Sequence, residues 1–252
     1  MNRVFLSYSH KDASDVAEFL YTRLMGAGYA VFKDDHSLTL GSSFPTELSK
    51  ALGDHNYFLV LLTTAALESN WVRDEIDMAI VAELNIIPIV LEDIEIPLYL
   101  KKRHCLMMKE RTNDWEALHK LVNDLGDGKN IPRVYNMSGR KDFEVKGILI
   151  LGHSEFVLAD LKDPSSMANI AESMAEKALP YIERAGAGIV PPGHSALACS
   201  ILAHLLGTRG QMPRLFYTHK PGPDNFCINS EVYVALQDMR DAGFEYRSQN
   251  PK

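Results

Sequence analysis

The chain has 252 residues, 46% hydrophobic and 23% charged, which is enough for one large domain or two small ones with ample cores. Its formal net charge of −7 argues against a surface that coats nucleic acid, although a local basic pocket stays open. Cys105, Cys199 and Cys227 are far apart and odd in number, without CxxC or Cys/His spacing, so they read as buried thiols of a reducing compartment and no metal site is expected.

Met-Asn-Arg passes straight into a strand-like run with no leader, and no apolar run reaches the roughly 18 residues of a membrane span. A cytoplasmic, non-membrane protein is expected. Residues 4–8 read as a buried strand, and 9–12 as a loop. A helix over 15–25 repeats Val16, Phe19, Leu20 and Leu24 at helical spacing and stops at Gly26 and Gly28. A strand at 29–32, a polar loop at 33–43 holding Gly41, a helix at 44–52 and a strand at 57–63 follow. The next helix opens near Ser69 or Asn70, either of which suits the N-cap. A strand at 85–91 and a helix at 115–125 close this half. Such alternation points to a parallel sheet with helices on both faces.

Residues 126–133 are polar, glycine-bearing and proline-containing, and read as a boundary, with 135–141 extending the linker. A second alternating unit then begins. A strand at 147–151 opens onto Gly152-His153-Ser154-Glu155, and 156–161 reads as a second strand. Ser165 or Ser166 can cap a helix to about residue 184, which Pro180 should kink or end. A strand at 188–190 leads through Pro191-Pro192-Gly193-His194-Ser195 into an apolar helix at 196–206. A strand at 214–217 ends at Thr218-His219-Lys220, and 231–241 reads as a closing helix.

Two places carry chemistry. Trp71 and Glu75 stand four residues apart on one helical face. A carboxylate one turn beyond a large ring can hydrogen-bond a sugar hydroxyl and stabilise positive charge developing on a ribose. The plainer alternative is a surface glutamate beside a tryptophan that anchors its helix. In the second half, Gly193-His194-Ser195 at a helix start and Gly152-His153-Ser154 after a strand offer N–H groups and hydroxyls to a phosphate, with His219 and Lys220 nearby in the pattern. The alternative there is that the serines cap helices and the glycines make turns. A Ser/His hydrolase built on His194 and Ser195 lacks a placed acid partner.

Residues 2–125 resemble a TIR domain. Phe5-Leu6-Ser7-Tyr8-Ser9 with Asp12 looks like the opening box, and Asp34, Asp35, Gly41 and Phe44 like the second. Residues 59–63 followed by Ser69-Asn70-Trp71-Val72 and Glu75 look like the third, and Ile87-Pro88-Ile89 with Pro97 and Leu98 completes the set. The resemblance implies a flavodoxin-like α/β fold over 1–130. From the enzymatic members of the family it implies that Glu75 cleaves the nicotinamide–ribose bond of NAD. Tyr8, Ser9, Asp12, Lys33, Asp34, Ser43, Phe44 and Trp71 would line that cleft. No GxGxxG follows the first strand, so NAD is expected as substrate and no redox cofactor is expected.

Residues 131–252 look like a small Rossmann-like domain of the CARF type, a family that binds cyclic oligoadenylates across a homodimer. The whole chain then resembles the CRISPR-associated TIR effectors of type III antiviral defence. The implied activator is cyclic tetra-adenylate, bound by Gly152, His153, Ser154, Pro192, Gly193, His194, Ser195, His219 and Lys220. The implied partner is a second copy, in a dimer, higher oligomer or filament. Two rival readings remain: a non-enzymatic TIR scaffold, and a TIR effector whose second domain senses a cyclic ADP-ribose-type signal.

Overall fold

A computed structural model describes residues 2–33, 55–126, 128–140, 143–219, 226–231, 233–239 and 242. The chain divides into two compact units, Met1–Asn130 and Ile131–Lys252.

The first unit is a five-stranded, all-parallel sheet. Its strands are β1 (Arg3–Ser7), β2 (Ala30–Lys33), β3 (Tyr57–Leu62), β4 (Asn85–Val90) and β5 (Leu106–Met107), in the order β2-β1-β3-β4-β5. That is the flavodoxin-like order, which places the reversal of winding between β1 and β3. The apolar run YFLVLL of β3 has no alternation because both its faces are covered; Phe58 to Leu62 are all fully buried. Helix Ser14–Gly26 buries Val16, Leu20 and Leu24 of the stripe expected from the sequence and adds Ala17, while Phe19 is half-buried. Helix Asn70–Val81 is capped by Ser69, whose hydroxyl accepts from the Val72 N–H at 3.4 Å. Helix Trp115–Asp124 is capped by Asp114, and the Tyr29 hydroxyl donates to the Leu125 carbonyl at 2.9 Å, fastening the last helix to the start of β2. The short strand β5 and the helices Thr64–Glu68 and Leu98–Lys101 had no sequence signal long enough to predict. The helix expected at 44–52 lies outside the described residues.

The second unit departs from expectation in five places. Arg133–Asn136, inside the stretch read as boundary and linker, is a wholly buried strand, β6, at the heart of its sheet. A four-residue strand between Pro132 and the Ser138-Gly139 turn is too short to show a period. With β8 (Leu149–His153), β9 (Gly188–Val190), β10 (Arg214–Phe216) and β12 (Tyr233–Ala235), β6 forms a sheet of order β12-β10-β9-β6-β8. All its pairings are parallel except that of the edge strand β12 with β10. β12 takes the first part of the helix expected over 231–241, which starts only at Leu236: Tyr233-Val234 are strand formers, and the Tyr233 ring lies 5.5 Å from that of Phe216. Residues 156–161 are no strand but lead into a 3₁₀ turn at Leu158–Lys162, with Phe156 and Leu161 packed into the core. Helix Pro164–Ala185 is capped by Asp163, which accepts from the Ser166 N–H at 2.8 Å, and not by a serine. It runs through Pro180, because Ala171, Met174, Ala175, Ala178 and Ile182 bury one continuous stripe on both sides of the proline.

That stripe packs with Leu197, Ile201 and Leu205 of helix Ser195–Arg209 on one face of the sheet, against Tyr135 and Ile189. The other face, with Val134, Val190 and Phe216, is covered by Phe143, Val145 and Ile228 of a two-stranded parallel ribbon, β7 (Phe143–Lys146) with β11 (Phe226–Asn229).

Candidate functional site

Glu75 belongs to the buried stripe of its helix, with Val72, Ile76 and Ala79, and has no exposed surface. A carboxylate there is neither the surface glutamate of the plainer alternative nor a packing residue; an apolar chain would serve packing better. Both its oxygens are held. The Ser7 hydroxyl donates to Oε2 at 2.5 Å, and the Trp71 indole N–H donates to Oε1 at 3.1 Å. Trp71 is thus a hydrogen-bond donor that orients the acid, beyond the ring wall expected from its size. Ser7, fully buried as the last residue of β1, lay within the opening box but was not among the predicted contacts. The group sits beside the carboxyl ends of β1 and β3, the neighbours between which the winding reverses, where open parallel sheets place ligands.

The other predicted contacts are largely committed to the loop after β1. Tyr8 is 5% exposed and its ring stacks on His10 at 4.6 Å. The Ser9 hydroxyl accepts from the Lys11 N–H at 3.3 Å. Asp12 accepts from the Thr63 hydroxyl at 3.0 Å, tying this loop to the end of β3. Lys33 pairs with Glu18 at 2.6 Å and lies 5.3 Å from the centre of the Tyr21 ring, an attachment to helix Ser14–Gly26. Asp34, Ser43 and Phe44 lie outside the described residues.

Arg111 clamps the same loop from outside, with a guanidinium fork on the Asp15 carboxylate and a donated bond of 2.7 Å to the Asp12 carbonyl. The bonded guanidinium holds the Asp15 carboxyl below its ordinary range. A depressed carboxylate stabilises the fold fully above its ordinary pKa near 4, and loses that contribution as pH falls through the lowered value. Arg111→Met should therefore cost about 0.5–1 kcal/mol at pH 7, and the gap to wild type should close in denaturant titrations as pH falls through the lowered Asp15 value. A gap that stays constant across this range would show that the ion pair contributes nothing.

In the second unit, a crevice of about 800 Å³ opens at the carboxyl ends of β6, β8 and β9. Ser138, Gly139 and Arg140 line it after β6, Glu155, Phe156 and Leu158 after β8, and Gly193 and His194 after β9. The first wall is set by Asn136, which accepts from the Ser138 N–H at 3.0 Å and donates to the Arg140 carbonyl at 2.7 Å. Gly139 turns there at φ +75°. His194 caps its helix, Nδ1 accepting from the Leu197 N–H at 3.3 Å, as its position before the apolar run allows.

Of the residues predicted to hold a ligand here, Gly193 and His194 line the crevice. Gly152 is a packing glycine: a Cβ would stand 2.9 Å from the Tyr135 ring and 3.0 Å from that of Tyr181. Ser154 is buried; its hydroxyl bonds that of Tyr135 at 2.7 Å and its N–H donates to the Asn136 carbonyl at 2.8 Å. Burial raises the Tyr135 phenol above its ordinary range, so it stays a neutral partner. His153 is the last residue of β8, with its ring 3.6 Å from the Glu155 carboxylate. Pro192 is buried, and Ser195 opens its helix exposed to solvent. His219 forms an isolated antiparallel bridge with Cys227, its buried Nδ1 lacking a hydrogen-bond partner. Lys220 lies outside the described residues. Arg140 was missed, although the Asn-x-Ser-Gly-Arg turn sequence marks the end of a strand. Among the described residues, no three His, Cys, Asp or Glu side chains are grouped to hold a metal ion, and no helix is long and apolar enough to cross a membrane.

The TIR domain model matches residues 4–122. Over 74 residues the chain is 34% identical to the NAD(+) hydrolase PdTIR of Paracoccus denitrificans, covering 29% of this chain and 25% of that protein. Over 81 residues it is 26% identical to the 2′ cyclic ADP-D-ribose synthase BtTIR of Bacteroides thetaiotaomicron, covering 32% and 28%. The chain thus spans about a quarter of the length of these relatives. The solved TIR domain of a Toll-related receptor from Hydra magnipapillata aligns at 21% identity and a TM-score of 0.43, covering 48% of this chain and 96% of that one.

Proposed function

We propose that the TIR domain of this chain, matched over residues 4–122, is an NAD-cleaving enzyme whose essential group is the Glu75 carboxylate. The observation that carries the reading is a carboxylate in a core helix stripe, with both oxygens held by donors, beside the strand ends where the winding reverses. In the reaction the C1′–N bond of the nicotinamide riboside breaks, and its electron pair leaves with nicotinamide. Positive charge builds on the ribose, and the carboxylate stabilises it by its charge and by accepting from a ribose hydroxyl. Water, or a hydroxyl of the same molecule, completes the sugar. Relatives are named for hydrolysis and for 2′ cyclisation, so the products need to be separated in any assay.

Glu75 has no exposed surface here, so substrate reaches it only after a covering group moves. That favours a switched enzyme. The second unit, of CARF type in this reading, is the switch, and cyclic tetra-adenylate is its ligand, as in type III CRISPR defence. The ligand is two-fold symmetric, so an isologous dimer is its natural receptor, and dimers then assemble into higher oligomers or filaments. The crevice supports the reading with a cation, a histidine and an aromatic ring in one opening: Arg140, His194 and Phe156.

The test is NAD consumption by the purified chain, alone and with a panel of cyclic oligonucleotides. A rise of at least about tenfold with one ring, and faster sedimentation with the same ring, is expected. Turnover without any activator keeps the enzyme and removes the switch. No turnover under any condition favours the scaffold, and a thermal shift with cyclic ADP-ribose alone favours the third reading; saturation at 100 times Kd adds roughly 2.7 kcal/mol.

A further inference from the structure

We infer that Ser7 is a positioning residue, fixing the Glu75 carboxylate against the end of strand β1. The inference rests on Glu75 being the group that stabilises the ribose. Trp71 stands one turn before Glu75 on the same helix, so its bond fixes the carboxylate only relative to that helix. Ser7 comes from the sheet, 68 residues away in sequence, and its bond locates Oε2 relative to the strand ends at which a ligand would lie. Two donors on opposite oxygens also fix the plane of the carboxylate, whose terminal torsion is otherwise broad.

The residue type agrees with this role. Ser7 closes the run Val4-Phe5-Leu6, and all four residues are fully buried. A hydroxyl in such a place is costly unless bonded, and an alanine would fill the same space more cheaply. Its bond to Glu75 satisfies it. The Ser7 O–H is the donor and the Glu75 Oε2 the acceptor, at 2.5 Å. Misplacing a reacting group by about 1 Å can slow a reaction roughly 100-fold, so the contact should govern turnover and leave substrate affinity nearly untouched.

The experiment compares the wild-type full chain with Ser7→Ala, Ser7→Cys and Trp71→Phe. It measures kcat and KM for nicotinamide release under the condition in which wild type is most active. It also records the indole N–H resonances of ¹⁵N-labelled protein. The chain has two tryptophans, so Trp71→Phe assigns the signals of Trp71 and Trp115. Ser7→Ala should lower kcat about 10–100-fold with KM within about threefold, and should shift or broaden the Trp71 resonance while that of Trp115 stays put. Ser7→Cys, a weaker donor of similar size, should fall between, and carries the comparison if the alanine variant does not fold. Unchanged kcat, or an unmoved Trp71 resonance in a folded variant, overturns the inference. Should wild type release no nicotinamide, the enzymatic reading fails, and the resonance alone then decides whether Ser7 positions Glu75.

Discussion

Glu75→Gln should lower nicotinamide release by about 10²–10³-fold, equivalent to roughly 3–4 kcal/mol of lost transition-state stabilisation. The substitution keeps shape and volume. The Trp71 indole can still donate to the amide oxygen, and the amide nitrogen can donate to the Ser7 hydroxyl, so the two held positions of the carboxylate stay occupied. What disappears is the negative charge that, in the proposed reaction, faces the developing cation. The unfolding midpoint is therefore expected to stay within about 3 °C of wild type, which separates loss of chemistry from loss of fold. Activity that survives in a folded Glu75→Gln protein would move the reaction to another group and leave the buried carboxylate unexplained.

Gly188→Ala should be the most damaging small change in the second unit. Gly188 is the first residue of β9, where it faces Val134 of β6. A Cβ there would stand 2.6 Å from the Phe216 ring and 2.8 Å from the Arg214 carbonyl oxygen. The ring can tilt. The carbonyl is main chain of the neighbouring strand and cannot, so β9 and β10 must separate. Overpacking of this kind costs about 3 kcal/mol, which for a domain of this size lowers the unfolding midpoint by roughly 10 °C. Differential scanning calorimetry of the full chain should show that loss in one transition. If the second unit is the switch proposed above, activation by a cyclic nucleotide should fail first, since β9 leads directly into Gly193 and His194 of the crevice. A midpoint unchanged within about 2 °C would mean that the sheet is looser there than its spacing implies.

Helix Ser14–Gly26 was legible because its apolar residues recur at helical spacing over three turns, and the helix carrying Trp71 and Glu75 from its N-cap candidates and the four-residue spacing of that pair. Strands β1, β3 and β4 were legible because they are continuous apolar runs bounded by polar loops. β6 was not, since four residues hold no period, and β12 was not, since its antiparallel partner is distant in sequence. Glu75 and Trp71 could be singled out from spacing on one helix. The role of Ser7 could not, because its partner is 68 residues away. In the crevice, a strand-to-helix junction pointed to Gly193 and His194, whereas the same pattern at Gly152 and Ser154 marks tyrosine packing.

Local periodicity and turn chemistry therefore settled the alternating α/β elements, most boundaries of the first unit, and the helix that carries the acid. Strand order, the burial of Glu75 and the choice between a crevice-lining glycine and a packing glycine were decided by the tertiary structure. Each depends on which distant segments share a face, and a pattern that repeats every two or 3.6 residues holds no information about its partner.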